Sequence, residues 1–174
     1  MSQQKQSSAL IRATLFVRDL ERATAFYQAL GLSEVYFEGT LDDPSACAIL
    51  GLIRYHPYRV RIVKRLGPNY GMIGLFELPA EVCASSLPLA DGPARLGEVA
   101  LVFYVRDLDD TLTRLRARGA LWSQKPQLFR MQHRAQAEVC LRDCDGVLIN
   151  LVETDPDEQE RSISEMVAAK VGLR

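Results

Sequence analysis

Residues 17–31, VRDLERATAFYQALG, recur 88 positions later as residues 105–119, VRDLDDTLTRLRARG, without a gap. Six positions are identical: Val17/Val105, Arg18/Arg106, Asp19/Asp107, Leu20/Leu108, Ala29/Ala117 and Gly31/Gly119. Roughly one match is expected by chance at ordinary residue usage. A repeat this long means that each copy is one supersecondary unit, so the chain is expected to fold as two similar modules.

The repeated positions carry structural work. Asp19 and Asp107 each follow an apolar, strand-like run and precede a helical pattern, where a carboxylate caps the first free N–H groups of a helix. Leu20, Ala23, Tyr27 and Leu30 share one helical face in the first copy, and Leu108, Leu112 and Leu115 do so in the second. Gly31 and Gly119 stand where each helix is expected to stop. Strands are expected next, in the first copy at Leu32–Glu38, Ala46–Ile53, Arg59–Lys64 and Met72–Leu78. In the second copy they are expected at Leu121–Ser123, Gln127–Met131, Ala137–Leu141 and Val147–Val152. Asp143-Cys144-Asp145-Gly146 has the chemistry of a hairpin turn. It resembles the start of a calcium loop, but Thr154 stands where that loop needs its closing Glu.

Aligning Leu75-Phe76-Glu77-Leu78 with Leu148-Ile149-Asn150-Leu151 gives an offset of 73 for the last strands, so about 15 extra residues are expected in the first copy, near Gly39–Leu52. The organisation read from the chain is a tail (1–8), a first βαβββ module (9–78), a linker (79–96), a second βαβββ module (97–153) and a C-terminal helix (154–174). That last helix starts at Asp155-Pro156-Asp157-Glu158 and carries Ile163, Met166, Val167 and Val171 on one side.

Composition narrows the partners. A net charge of −1 over 174 residues argues against a duplex nucleic acid or an anionic membrane as the dominant partner. No apolar run approaches the roughly 20 residues of a membrane span, and Met1–Ser8 lacks the apolar stretch of a secretory signal. A cytoplasmic protein is expected, and its four cysteines (Cys47, Cys83, Cys140, Cys144) are expected as reduced thiols because none forms a Cys-x-x-Cys pair.

Thr14-Leu15-Phe16-Val17-Arg18-Asp19-Leu20, then Phe26-Tyr27 and Leu30-Gly31, together with Asp143-Cys144-Asp145-Gly146 and Leu148–Glu153, resemble the vicinal oxygen chelate superfamily over residues 10–153. That group includes glyoxalase I, bleomycin-resistance proteins and extradiol dioxygenases. The resemblance implies an α+β fold: two βαβββ modules, as paired half-barrels around a cup-shaped cavity. It also implies a homodimer and, in metal-dependent members, a divalent ion held by His and Glu that chelates vicinal oxygens.

The ligand positions that the resemblance implies can be counted on this chain. Seven residues before each capping Asp, where a His is typical, stand Arg12 and Ala100. On the last strands, under the 73-residue offset, stand Glu77 and Asn150. Arginine stays protonated and does not bind metal, and one carboxylate does not hold a catalytic ion. Glu98 and Glu153 are near the lost positions, Glu98 on the same strand face as Ala100; a displaced metal site would use Glu77 with Glu98 or with His56 or His133, the only two histidines.

The expectation is a small-molecule-binding protein without a catalytic metal. Arg12 and Glu77 would pair at the cavity floor and Arg12 would anchor the ligand, with Asn150, Tyr55, His56 and Glu98 also lining the site. The alternative is a lyase, isomerase or dioxygenase-type enzyme. It would use Glu77 as base with Arg12 as charge stabiliser, or a divalent ion on displaced ligands. A third reading is a structural module whose cavity is filled by its own side chains.

Overall fold

In the computed structural model, residues 7–52, 54–83, 94–131 and 134–160 are described. The chain divides into two compact units, Met1–Pro88 and Leu89–Arg174.

The first unit opens with β1 (Arg12–Val17) and α1 (Leu20–Leu30), followed by β2 (Glu34–Leu41), α2 (Pro44–Leu50), β3 (Tyr58–Lys64), β4 (Met72–Glu77) and a short α3 (Ala80–Cys83). Its sheet has the order β1-β4-β3-β2, with β1 parallel to β4 and the other pairs antiparallel. The second unit repeats this plan with β5 (Ala100–Val105), α4 (Leu108–Arg116), β6 (Gln127–Met131), β7 (Arg134–Arg142) and β8 (Leu148–Glu153), in the order β5-β8-β7-β6. Each unit is therefore a βαβββ module with one open four-stranded mixed sheet. No helix among the described residues is long and apolar enough to cross a membrane.

The helix starts follow the repeat. Asp19 Oδ1 accepts from the Arg22 amide at 2.9 Å, and Asp107 Oδ1 accepts from the Asp110 amide at 2.8 Å. Gly31 ends α1 in the left-handed region (φ 118°), which a side chain would strain. Helix α1 buries Leu20, Ala23, Phe26 and Tyr27 against its sheet, where Val63, Ile73 and Leu75 are also buried. In the second unit Leu108, Leu112 and Leu115 of α4 are buried, as are Val139, Leu141, Ile149 and Leu151 of the strands. Each such large side chain contributes roughly 1.5–3 kcal/mol on burial.

Three expectations on the elements change. Of Ala46–Ile53, expected as a strand, residues 46–50 belong to α2 instead, and Ile53 lies outside the described residues: Asp43 caps α2 through the Ser45 amide (2.8 Å) and Pro44 occupies its first turn. A short apolar run cannot be assigned by periodicity alone, and here the Asp-Pro start decides. Leu121–Ser123 is not a strand but a single bridge, Leu121 to Arg142. Of the expected C-terminal helix, the described residues contain only a 3-10 turn, Pro156–Glu160; residues 161–174 lie outside them.

Helix α2 decides the character of the first sheet. Residues 58, 60 and 62 of β3 and 72 and 76 of β4 lie on the face opposite α1. Tyr58, Val60, Ile62, Met72 and Phe76 are all buried there, with Leu41, Cys47, Leu50 and Leu52 packed against them. The extra residues of the first copy thus roof one face of their own sheet. In the second unit no helix among the described residues covers the corresponding face, where Val102 and Phe129 are 58% and 51% exposed.

Candidate functional site

Strand register fixes which residues of the two modules are equivalent. Val17 lies opposite Glu77, and Val105 opposite Glu153. Thr14 lies opposite Gly74, and Val102 opposite Asn150. The last strands are therefore related by 76 positions, not 73: Ile73-Gly74-Leu75-Phe76-Glu77 matches Ile149-Asn150-Leu151-Val152-Glu153. The counterpart of Asn150 is Gly74, and the counterpart of Glu77 is Glu153.

Glu77 is engaged at a helix terminus. Its Oε1 accepts the Leu20 amide proton at 2.9 Å, and its Oε2 pairs with Arg59 at 3.1 Å. Glu153 does the same for Leu108 at 3.0 Å. Both glutamates lie on the helix side of their sheets and cap the helix N-termini. Arg12, opposite Met72, stands at the other end of the β1–β4 pair from Glu77, so the expected Arg12–Glu77 pair does not form.

Arg12 does reach the face opposite α1. A Cβ added at Gly74 would stand 3.4 Å from Arg12 Cδ, so the arginine stem lies across the glycine. Arg12 is exposed.

Glu98 is engaged elsewhere. Both its carboxylate oxygens bind the guanidinium of Arg142, Oε2 at 3.2 Å from Nη2, and Oε2 also accepts the Arg95 amide at 3.0 Å. The Arg142 side chain is 6% exposed and that of Glu98 13%. The hydrogen bonds from Arg142 and from the Arg95 amide hold the Glu98 carboxyl down at about 2. Both oxygens of Glu98 are thus engaged by donors of its own module.

The Tyr55–His56 pair belongs to the return from α2 to β3. Tyr55 is exposed and donates to Asp42, and that carboxylate pushes its phenol up from the ordinary value. His56 packs edge-on against Tyr58, ring centroids 5.5 Å apart. His133 lies outside the described residues.

Asn150 remains, on the face of the second sheet that α4 leaves open. Its Nδ2 donates to Glu138 Oε2 at 3.1 Å, while its Oδ1 is buried and without a hydrogen-bond partner. Glu138 and Gln136 of β7 share this face with it. Sequence reasoning missed both. The available signal was that β7 carries polar residues at every second position, where β3 carries Tyr58, Val60 and Ile62.

The residues do not fit a divalent ion at the family's positions. These are now Arg12, Gly74, Ala100 and Asn150: a cation, two positions with no donor atom, and one neutral amide. Among the described residues no three His, Cys, Asp or Glu side chains cluster to hold a metal ion.

The family model of the Glyoxalase/Bleomycin resistance protein/Dioxygenase superfamily matches residues 9–151. No curated protein matches the chain. Among solved structures, a glyoxalase family protein from Bacillus cereus is 21% identical, with a TM-score of 0.61 over 88% of this chain and 97% of that one. A glyoxylase/bleomycin resistance protein/dioxygenase domain from Frankia sp. EAN1pec is 18% identical, with a TM-score of 0.55 over 86% and 100%. A point mutant of a fosfomycin resistance protein from Listeria monocytogenes, complexed with Mn(II) and 1S,2S-dihydroxypropylphosphonic acid, is 19% identical, with a TM-score of 0.52 over 90% and 98%. At these identities the likeness concerns the fold.

Proposed function

This chain belongs to the glyoxalase/bleomycin resistance protein/dioxygenase superfamily, and from that premise we propose that it binds a small organic molecule without a catalytic metal ion. One observation carries the reading. When the two modules are aligned by strand register, the four positions that would hold the ion are Arg12, Gly74, Ala100 and Asn150, and none offers a carboxylate, imidazole or thiolate.

The ligand surface in this reading is the open face of the second sheet, centred on Asn150 and Glu138. The first sheet's corresponding face is filled by α2. Small-molecule sites combine apolar side chains with a few polar groups, and Val102 and Phe129 share this face with Asn150 and Glu138. A cytoplasmic homodimer is part of the same proposal, and sedimentation at about twice 19.5 kDa tests the dimer.

Elemental analysis of the purified chain tests the central point. The expected result is far less than one divalent ion per chain, with none gained on dialysis against zinc, manganese or iron(II). One tightly held ion per chain would sink the proposal.

A further inference from the structure

Equivalent positions of the two sheets differ in one consistent way. Val60 lies opposite Phe76, and Ile62 opposite Gly74. In the second unit Glu138 lies opposite Val152, and Cys140 opposite Asn150. The row Tyr58, Val60, Ile62 of β3 therefore corresponds to Gln136, Glu138, Cys140 of β7. The first row is apolar and buried beneath α2. The second row is polar and has no such roof among the described residues.

The polar row holds acceptors that no described donor uses. Asn150 spends its Nδ2 on Glu138, which leaves Asn150 Oδ1 buried with no partner. Gln136 Oε1 is also buried without a partner. Glu138 adds a full negative charge, and no cation of the described residues forms an ion pair with it. Arg142, on the same strand, is taken up by Glu98 and the Gly146 carbonyl. By the strand register Glu138 lies between the levels of Gln136 and Asn150, and it is the charged group of the row.

The apolar surroundings complete the description. Phe129 lies opposite Gln136, and Val102 opposite Asn150. Both are more than half exposed on this same face. An ammonium group has three donors, no acceptor and a positive charge, which complements the Glu138 carboxylate. An apolar body attached to it would cover Phe129 and Val102.

We propose that the open face of the second sheet selects small amphipathic cations: organic amines whose ammonium group pairs with Glu138, the carboxylate that Asn150 Nδ2 holds. The inference rests on the small-molecule-binding reading and adds the charge and polarity of the ligand to it.

Isothermal titration of the full chain at neutral pH with three matched probes tests it: 4-phenylbutylamine, 4-phenylbutanamide and 4-phenylbutanoate. The amine is expected to bind at least about tenfold more tightly than either of the others, and Glu138→Gln to remove at least about tenfold of that affinity. Asn150→Leu, a second variant that keeps the volume and loses the amide that holds Glu138, is expected to weaken the amine in the same direction. Thermal melts confirm that both variants fold. Equal binding of all three probes, or an amine affinity untouched by Glu138→Gln, overturns the cation preference and leaves the small-molecule reading standing. Failure of all three probes to bind also overturns the cation preference, while the metal-free reading is judged separately by elemental analysis.

Discussion

Glu77 and Glu153 hold the same post in the two modules: each ends the last strand of its sheet and accepts the amide proton of the first helical residue, Leu20 at 2.9 Å and Leu108 at 3.0 Å. Each helix therefore begins under two carboxylates, the second being Asp19 or Asp107. The free N–H groups and the positive end of the helix dipole make this a favourable place for both.

Glu77 is then expected to act on stability. Glu77→Ala and Glu153→Ala are each expected to lower the unfolding free energy by about 1 kcal/mol, the usual worth of a helix cap. Glu77→Gln, whose amide oxygen still accepts from Leu20, is expected to cost less. Urea denaturation measures this. A Glu77→Ala variant of unchanged stability that no longer binds ligand would return the residue to the functional site.

The Glu98–Arg142 pair sets an acid limit. Folding takes the Glu98 carboxyl from its ordinary 4.5 to about 2. A depressed acid adds stability that is fully present above the unfolded value and is lost as pH falls through the folded one. The advantage of the native chain over Glu98→Gln is therefore expected to be constant above about pH 5, and to shrink between about 4.5 and 2. Thermal melts of the two proteins across this range check it; an advantage that holds undiminished down to pH 2 contradicts the pairing.

Helix α2 is expected to be part of the core of its module. Leu50 packs on the Tyr58, Val60, Ile62, Met72 and Phe76 cluster. Leu50→Ala is predicted to cost roughly 1–3 kcal/mol, less than a fully buried leucine because the side chain is only partly enclosed. It should also raise binding of a hydrophobic dye as the sheet face is uncovered. Native-like stability together with unchanged dye binding would show that α2 is a surface appendage.

Much of this was legible in the chain before its fold. The repeat named both capping aspartates and the Gly31 stop, because capping and a left-handed glycine are local requirements that act over a few residues. The insertion was located but its form was misread. Ala46–Ile53 is apolar throughout, and an apolar run chooses helix or strand by what it packs against.

The register of the last strands was the harder matter. Two alignments of β4 on β8 look alike in sequence, since both bring leucines together, and they differ by three residues. Only the ladder of β1 on β4 and of β5 on β8 separates them, and that ladder made Gly74, not Glu77, the counterpart of Asn150.

The sequence by itself determined the duplication, the βαβββ plan and the absence of ligands at Arg12 and Ala100, all of which depend on residue type and short spacing. The tertiary structure decided which carboxylates are occupied and which sheet face is open. Glu77, Glu98 and Glu138 are alike as residues, and they differ because one meets a helix terminus, one a buried arginine and one an amide with an oxygen to spare. Those partners lie 57, 44 and 12 residues away, distances over which only folding brings side chains together.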